Sequence, residues 1–372
     1  MNPFKKSGLA RVAGMSRAGA AMSSASARHP TLQDIADRTG FGRSTVSMAL
    51  RNHPDIRQAT RDLIRQTAEA MGYRPNPMIA ALMTQLRERR PGREEGRIAL
   101  ISRFAQSVAR HRFPDTFYRP LFDAITESAA AHGYGIDEFF TGENPVSDAR
   151  LSGILRARGI QGVLFFPGSD QEVPDHEYPA LDWRCFATVL IGFRTMHEGL
   201  HQVASDYTWD IDHALAHVRG AGFRRIGLTV PANVDASTNH AWASRFLFYQ
   251  HGVRPRDRVA PLLSGHRDMD REELAAWFRK QRPEVILSAG TTVRDLLRES
   301  GVRVPQDVRI VNLVQRGEPG MAGIDPHTAE VGHAAVDLLV SLLQGNHLGQ
   351  PAFPRMIAIR GHWTPGESFP ER

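Results

Sequence analysis

Residues 31–50 of the chain read TLQDIADRTGFGRSTVSMAL, and this stretch predicts two short helices joined by a tight turn. Thr31 and Asp34 have the spacing of a capping box at the start of the first helix. Thr39-Gly40 ends that helix, and the second is predicted over residues 43–51. A third helix is predicted over residues 60–71. Two short helices in this arrangement, followed by a third, are typical of a helix-turn-helix unit.

The predicted faces of these helices separate a core from a surface. In the second helix, Val46 and Leu50 lie four positions apart and face inward, towards the first helix and Phe41. In the third helix, Leu63, Ile64 and Ala68 are predicted on one apolar face, with Gly72 as the stop. The residues of the second helix left facing outward are Arg43, Ser44, Ser47 and Met48.

These outward residues are suited to reading DNA. Arg43 can donate two hydrogen bonds to guanine, the two serines can contact base edges or phosphate, and Met48 offers an apolar contact to a thymine methyl group. Thr31 lies at a helix N-terminus, which favours a phosphate. The alternative is a plain three-helix bundle with an arginine-rich surface.

Charge is distributed unevenly along the 372 residues. Residues 1–97 hold 17 lysines and arginines against 8 acidic residues, which gives this segment a net charge of +9. Since the net charge of the whole chain is +6, residues 98–372 carry a net charge of −3. A basic front on a mildly acidic body indicates a polyanionic partner, although a solvated basic tail would have the same composition.

Composition excludes several classes of protein. Hydrophobic residues are 41% and charged residues 23%, which is enough apolar material for a sizeable core and excludes disorder throughout. No window approaches 18 consecutive apolar residues, so a membrane span is not predicted. The single cysteine, Cys185, excludes an internal disulfide and any multi-cysteine zinc site.

The segment before the helix-turn-helix is predicted to be an arm, and the segment after it is predicted to contain a hinge. Residues 1–28 are rich in Ala, Ser, Gly and Arg and are predicted to be a disordered arm, or an over-extended start with Met15 or Met22 as the initiator. Arg11 and Arg17 interrupt any signal-peptide core. Asn76 and Pro77 begin a short predicted helix, which a polar linker follows.

From residue 97 onward, short apolar runs alternate with helical patterns. The predicted buried strands are 98–101, 163–166, 188–191, 226–230, 285–287 and 310–313. The predicted helices between them include 121–132, 210–220, 271–281 and 292–300. This alternation indicates parallel sheets covered by helices on both faces, and the length of the segment indicates two stacked halves. A later apolar helix, 332–343, is predicted to be either dimer surface or core.

Residues 31–83 resemble the headpiece and hinge of the lactose-repressor-type (LacI/GalR) transcriptional regulators. The matching runs are 31–36, 40–50, Thr60-Arg61 and Gly72-Tyr73-Arg74-Pro75-Asn76, with Leu82 beyond them. The resemblance implies that Arg43, Ser44 and Met48 read bases. It also implies that a second group contacts the DNA backbone or positions the headpiece, namely Thr31, Thr45, Ser47, Thr60, Tyr73 and Asn76. The hinge helix over 76–83 would pair with its dimer mate in the minor groove, where Leu82 wedges open a base step.

The match departs from the family pattern at four positions. Gly42 replaces the usual serine N-cap, which weakens the start of the second helix by a few tenths of a kcal/mol. Met48 replaces a common arginine, so a different half-site is expected. Ile79 replaces a small alanine in the hinge and so affects how closely paired hinges approach. Pro77 favours the helix start.

The resemblance continues more weakly over residues 97–372. The matching patterns are Asp115-Thr116-Phe117-Tyr118, 161–166, Ser205-Asp206 with His217, 222–226, 302–308 and 361–363. The implied fold class is α+α/β: an N-terminal three-helix helix-turn-helix headpiece plus hinge helix, then a periplasmic-binding-protein-like core of two Rossmann-like α/β subdomains. The implied domains are an arm (1–28), a DNA-binding domain (29–74), a hinge and linker (75–96) and an effector-binding and dimerisation core (97–372).

The family's usual effector-anchoring acids are absent from this sequence. Gly290-Thr291 and Leu313-Val314-Gln315 stand where the family often has Asn-Asp and Phe-Asp-Asp. A sugar bound in the usual way is therefore not expected, and an acidic or less hydroxylated effector, or a silent cleft, remains open. Because open α/β folds bind ligands at strand ends, the candidate effector residues are Phe104, Phe117, Tyr118, Phe166, Arg194, Trp242, Gln315 and His327. Each aromatic candidate is equally compatible with core packing.

No catalytic motif is found. His213 and His217 share a helix face, but Ala214 stands where a zinc protease needs glutamate. Cys185 is predicted to be a small buried apolar residue. The sequence predicts a cytoplasmic repressor that is not an enzyme and needs no cofactor or metal. This repressor is expected to bind a palindromic operator as a homodimer, and a small-molecule effector is expected to control the binding. The rivals are an α/β enzyme with a DNA-binding appendage and an architectural DNA-binding protein.

Overall fold

The computed structural model describes residues 30–50, 56–73, 96–104, 107, 118–141, 146–169, 179–192, 199–265 and 269–370. The chain divides into two compact units, residues 1–75 and residues 76–372. The predicted arm and hinge helix lie outside the described residues. None of the helices in the described ranges combines the length and the apolar character needed to cross a bilayer.

The first unit is a three-helix headpiece made of α1 (Leu32–Thr39), α2 (Arg43–Leu50) and α3 (Gln58–Ala70). Its core consists of six buried side chains: Ile35, Ala36, Val46, Ala49, Ile64 and Ala68. The prediction that Leu63 shares this face was wrong, because Leu63 is 50% exposed. Ile64 and Ala68 lie four residues apart and set the buried stripe, so Leu63 is rotated by about 100° towards solvent.

The second unit begins with a six-stranded sheet. Its strands are β1 (Gly96–Arg103), β2 (Tyr134–Phe140), β3 (Gly162–Ser169), β4 (Ala187–Ile191), β5 (His201–Ser205) and β11 (Met356–Ile359). They lie in the order β11-β5-β4-β3-β1-β2, and every pair is parallel. The helices that alternate with these strands are α4 (Tyr118–Ala131) and α5 (Asp148–Ala157). The winding reverses between β1 and β3, where an open α/β sheet forms its ligand crevice.

A second six-stranded sheet repeats this winding. Its strands are β6 (Ile226–Pro231), β7 (Leu262–Ser264), β8 (Val285–Ser288), β9 (Arg309–Asn312), β10 (Ala322–Asp325) and β12 (His362–Thr364), in the order β12-β10-β9-β8-β6-β7. Only the β10–β12 pair is antiparallel among these described strands. Its helices are α6 (Tyr207–Gly220), α7 (Ala232–Ala236), α8 (Ala241–His251), α9 (Arg271–Gln281) and α10 (Thr292–Glu299). The predicted two-subdomain α/β core is therefore confirmed.

The last helix, α11 (Thr328–Gln344), belongs to the core of the first sheet. Nine of its residues are buried, and seven of these, among them Val336 and Leu339, pack in one apolar cluster with strands β1, β3, β4 and β5 and with α4. Gly332 allows a close approach to α4, because a Cβ there would lie 3.0 Å from the Leu121 carbonyl oxygen. The two readings of the 332–343 stretch, dimer surface or core, are thus resolved in favour of core.

Three segments connect the two sheets, and they lie side by side. The first follows Ser205, the second spans Asp325 to Thr328, and the third runs from Ile359 to His362. Ser205 pairs with Ile359 in register and its hydroxyl donates to the Pro326 carbonyl oxygen at 3.4 Å. These three connections meet in one place and join the two sheets, and we call them the hinge segments.

Candidate DNA-reading helix and ligand cleft

Helix α2 presents its N-terminal end to solvent. Arg43 and Ser44 are exposed, Thr45, Ser47 and Met48 are half-buried, and Val46 and Ala49 are buried beneath them. The Val46 amide donates to the Gly42 carbonyl oxygen at 3.0 Å, which fixes the first turn. The polar leading edge and the apolar inner edge of a recognition helix are therefore both present on one element of eight residues.

The start of α1 is held by the predicted capping box. The Asp34 amide donates to Thr31 Oγ1 at 3.3 Å, and the Thr31 amide donates to Asp34 Oδ2 at 2.6 Å. The Thr31 hydroxyl also donates to Asp34 Oδ2 at 2.7 Å, so a phosphate contact from this hydroxyl would compete with that bond. Gly40 ends the helix in the left-handed region, with φ of 74°.

The remaining predicted DNA contacts lie on or after α3. Thr60 is half-buried in the first turn of α3. Tyr73 packs on the headpiece core, and its amide donates to the Ala68 carbonyl oxygen at 2.9 Å. Asn76, Ile79 and Leu82 lie outside the described residues, and the roles assigned to them stay predictions.

Three of the predicted effector residues form an aromatic cluster at the first sheet. Phe104 follows β1, Phe166 lies on β3 and Tyr118 begins α4. The ring centroids of Phe104 and Tyr118 are 5.5 Å apart, and those of Tyr118 and Phe166 are 5.9 Å apart. Phe104 and Phe166 are buried, so Tyr118 is the member that is partly open to solvent. Phe117 and Arg194 lie outside the described residues.

A second group of aromatic side chains comes from the other subdomain. Trp242, on α8, is 1% exposed and meets Tyr207 edge to face, with ring centroids 5.4 Å apart. The Trp242 indole nitrogen has no hydrogen-bond partner among the described residues. A buried indole N–H without a partner is uncommon, because leaving it unpaired costs free energy.

Tyr207 joins the two groups, although the sequence reading did not single it out. Burial raises the pKa of Tyr207 to about 12, while the charge of Arg316 and a hydrogen bond with Ser205 act to lower this pKa and the Tyr118 hydroxyl acts to raise it. Tyr118 belongs to the first subdomain and Arg316 follows β9 in the second, so Tyr207 interacts electrostatically with residues of both subdomains. These side chains belong to segments at or beyond strand ends, where open α/β folds bind ligands.

Two other predicted effector residues have structural partners of their own. Gln315 is 4% exposed, and its amide nitrogen donates to the Met321 carbonyl oxygen at 3.0 Å, so it holds its own loop closed. His327 lies on a hinge segment, where its Nε2 is 2.8 Å from His362 Nδ1. That either side chain contacts an effector stays a prediction. The next residue after Gln315, Arg316, acts electrostatically on Tyr207.

Asp210 is a buried carboxylate at the hinge segments. Its Oδ1 accepts the Gly361 amide at 2.8 Å, while Oδ2 has no partner among the described residues. Burial, together with the charges of Asp206 and Asp325, raises the pKa of Asp210 to about 7, against the lowering effect of the Gly361 hydrogen bond. Only glycine fits at position 361, because a Cβ there would lie 2.6 Å from the Asp325 carbonyl oxygen.

The residues considered for catalysis are engaged in packing. His217 stacks on Trp363 with ring centroids 3.7 Å apart, and His213 stacks on Trp209 at 5.9 Å. Cys185 is half-buried rather than fully buried as predicted, because it lies in a 3₁₀ turn at the edge of its apolar cluster. Burial raises the pKa of the Cys185 thiol, which disfavours the reactive thiolate.

A helix-turn-helix headpiece followed by two doubly wound subdomains defines a class of ligand-responsive DNA-binding regulators. The family model for bacterial regulatory proteins of the lacI family matches residues 31–76, and the periplasmic binding protein-like domain model matches residues 215–369. The chain therefore carries a lacI-type DNA-binding domain and a periplasmic-binding-protein-like domain, as the sequence predicted, and is a helix-turn-helix transcriptional regulator.

Curated regulators are similar to this chain over most of its length, and solved structures share its fold. The transcriptional regulator CelR of Thermobifida fusca is 24% identical over 339 residues, which are 86% of this chain and 93% of CelR. The repressor CytR of Escherichia coli K12 is 21% identical, over 86% of this chain and 91% of CytR. The solved CelR–cellobiose complex has a TM-score of 0.54 at 21% identity and covers 92% of this chain and 100% of that one. The lac repressor dimer bound to operator and the anti-inducer ONPF has a TM-score of 0.53 at 16% identity, over 92% and 99%.

Proposed function

We propose that this regulator is a repressor that binds a palindromic operator as a homodimer and responds to a small organic anion in its cleft. The observation that carries the DNA half is the exposed leading edge of α2 above a buried core. Arg43, Ser44 and Met48 read base edges. The residues that contact the DNA backbone or position the headpiece are Thr31, Thr45, Ser47, Thr60, Tyr73 and Asn76. A twofold protein is matched by a twofold operator.

Selection of the full-length protein on random duplexes tests this half. A palindromic consensus with two half-sites is expected, because each protomer inserts one α2 into a major groove. Binding without a consensus would instead identify an architectural protein. Within the selected operator, the hinge residues Ile79 and Leu82 are proposed to occupy the minor groove. Leu82→Ala is therefore expected to reduce operator bending, measured by a permuted-site mobility assay, and unchanged bending would refute the wedge.

The ligand half rests on side chains from segments at or beyond the strand ends. Tyr118 and Tyr207 offer aromatic faces, Arg316 offers a charged fork for a carboxylate, and the Trp242 indole lacks a partner that a ligand oxygen would supply. Leu313 and Val314 are buried and apolar, and they stand where the family often has anchoring acids. An acid at this position would repel an anion, so its replacement by apolar residues favours an anionic ligand. This combination favours a carboxylate that carries a flat or apolar body over a polyhydroxylated neutral sugar.

Thermal-shift measurements on the full chain test the ligand class. The probes are benzoate and hydroxybenzoates, gluconate, and the neutral sugars cellobiose and lactose. We expect an acid to raise the melting temperature, Arg316→Gln to abolish the shift, and Arg254→Gln, at an exposed arginine of the same subdomain, to retain it. Stabilisation by neutral sugars alone would overturn the proposal that the effector is an anion. If no probe stabilises the protein, the cleft is silent, and the proposal for DNA binding is unaffected.

Control of DNA binding is proposed to work by a population shift. A ligand that binds the closed cleft better than the open one favours closure about the hinge segments. Closure changes the spacing of the two first subdomains in the dimer, and the hinge helices over 76–83 then form or melt. Domain limits of 29–74, 75–96 and 97–372 divide the chain according to these tasks, with an arm over 1–28. Action on chromosomal DNA places the protein in the cytoplasm.

A further inference from the structure

We propose that Asp325, His327 and His362 form a binding site for a divalent transition-metal ion of the zinc class at the hinge segments. Each of the three side chains offers one ligand atom, and these atoms all lie within 4.8 Å of one another. Two imidazole nitrogens and one carboxylate oxygen are a ligand set typical of zinc, nickel or cobalt. Calcium and magnesium prefer sites made of oxygen alone.

The backbone brings these ligands together. Strands β10 and β12 are antiparallel, and their register places Asp325 directly opposite His362. His327 follows two residues after Asp325 and adopts the left-handed conformation, with φ of 51° and ψ of 52°. This left-handed conformation is uncommon for a residue with a Cβ, and histidine is among the side chains that adopt it more often.

The two imidazoles are arranged almost as ligands of one ion. His327 Nε2 and His362 Nδ1 are 2.8 Å apart, and the ring centroids are 4.5 Å apart. A tetrahedral zinc ion bound at about 2.1 Å separates two nitrogen ligands by about 3.4 Å, so the rings need to part by only about 0.6 Å. A hydrogen bond between two ring nitrogens also requires one nitrogen to lack its proton, and an unprotonated nitrogen is the form that binds metal.

The carboxylate is oriented as a third ligand. Asp325 Oδ1 accepts the His327 amide at 2.8 Å, and this bond fixes the carboxylate beside both rings. Its negative charge offsets part of the charge of a divalent ion. The neighbouring cation, Arg360, is directed elsewhere: its Nε lies 3.7 Å from Asp206 Oδ2, and its guanidinium stacks 4.3 Å above the Trp209 ring.

The position of the site gives the ion a structural consequence. His327 immediately precedes α11, which packs against the first sheet, whereas His362 begins β12 of the second sheet. An ion bound by both histidines therefore ties together two of the three hinge segments. Since only the folded chain brings the ligands together, the ion is expected to stabilise the fold by mass action. His362 is exposed, so water can complete the coordination.

Metal titration of the full-length chain tests the site. After removal of metal with EDTA, the protein is titrated with Co²⁺ and Zn²⁺, with visible absorption, equivalents bound and melting temperature as the measurements. The variants are His362→Gln and His327→Asn, because asparagine tolerates the left-handed backbone. His251→Gln, at an exposed histidine that ends α8, is the matched control.

The wild-type chain is expected to show a Co²⁺ visible band, to bind one Zn²⁺ that both site variants lose, and to gain melting temperature with Zn²⁺. Zinc affinity at this site should fall at least about 100-fold in His362→Gln and His327→Asn, and remain unchanged in His251→Gln. If the site variants retain the wild-type equivalents and the Co²⁺ band, or if the wild-type chain shows neither, the site does not exist. Unchanged circular dichroism of the variants without metal confirms that the loss is not one of folding.

Discussion

The headpiece and the core use opposite arrangements to hold their candidate ligand-contacting residues. In the headpiece, the residues proposed to read bases occupy a single helix of eight residues and are exposed or half-buried. In the core, the candidate effector residues come from β3, α4, α6, α8 and the segments after β1 and β9. Four of these side chains are buried, namely Phe104, Phe166, Trp242 and Gln315, and three are half-buried, namely Tyr118, Tyr207 and Arg316.

This difference shows what each region needs. DNA is a rigid external surface, so a headpiece can present a preformed edge and leave it in water. A small effector must be enclosed, and enclosure requires side chains from many parts of the chain and a hinge that opens. In the described part of the chain, every polar or charged residue that is buried lies in the core and none lies in the headpiece. Four sets of substitutions test this difference between the two regions.

Arg43→Ala should have the largest effect. Loss of a bidentate contact costs about 1–3 kcal/mol at each half-site, or about 2–6 kcal/mol for a dimer on a palindrome. Binding to the selected operator, and to duplexes with each base pair of the half-site changed, is the measurement at fixed salt. Preference should relax at one base of each half-site. An equal loss on every duplex would make Arg43 a phosphate contact.

Ile64→Ala and Leu63→Ala compare adjacent positions on α3. Ile64 is fully buried in the headpiece core and Leu63 is 50% exposed. Truncation of a buried isoleucine costs about 2–5 kcal/mol, whereas a surface change stays within about 0.5 kcal/mol. Denaturant unfolding monitored on the headpiece transition should separate the two variants. Similar losses for both would show that Leu63 is covered in the assembled protein.

Asp210→Asn should change how the stability of the core depends on pH. The folded-state pKa of Asp210, about 7, lies above the ordinary value of 3.8, so the free energy of unfolding falls as pH rises between these values. The asparagine amide of the variant carries no charge, so its free energy of unfolding does not fall in this way. The advantage of Asp210→Asn over wild type should therefore grow by about 2–3 kcal/mol from pH 5 to pH 8.

Urea unfolding of the core at both pH values measures this advantage. Asp212→Asn is the control, because Asp212 lies on the same helix but is 41% exposed and bound to Arg245. An advantage for Asp210→Asn that is equal at pH 5 and pH 8 would show that the carboxylate is not the source of the pH dependence.

Gly42→Ser should have the smallest effect. A Cβ at position 42 would meet nothing closer than Ser44 Oγ at 3.8 Å, so a serine fits there and can cap α2. A gain of a few tenths of a kcal/mol in headpiece stability is expected from thermal unfolding. Gly42→Ala, which adds the Cβ without the hydroxyl, should not show this gain, and an equal gain would assign it to chain entropy instead.

Many of the elements could be predicted from the sequence. The capping box of α1, the limits of α9 at 271 and 281 and the six central buried strands follow local periodicity and end signals. Strand β2 was not predicted, because it lies at a sheet edge where its half-buried residues show neither a continuous apolar run nor clear alternation. Leu63 was placed on the wrong face because it is apolar and adjacent to the buried Ile64, and the sequence does not show which of two neighbouring apolar residues faces the core.

The candidate sites in the core were only partly predictable. The aromatic cluster of Phe104, Tyr118 and Phe166 was found because these residues lie at or near predicted strand ends. Tyr207 and Arg316 were missed because neither residue belongs to a recognised motif or departs from one. The sequence reading weighed the histidine pair at positions 213 and 217, four residues apart, but the facing pair is His327 and His362, separated by 35 residues.

The helix-turn-helix, the alternation of strands and helices and the uneven distribution of charge all follow from the amino-acid sequence alone. Each of these depends on interactions between residues close together in the chain, whose periodicity is visible in the letters. Tertiary structure alone decided that α11 is core, that Asp210 is buried beneath Gly361, and that two histidines face each other at the hinge segments. Strand order and register bring these residues together over long stretches of chain, and no local pattern of residues encodes that order.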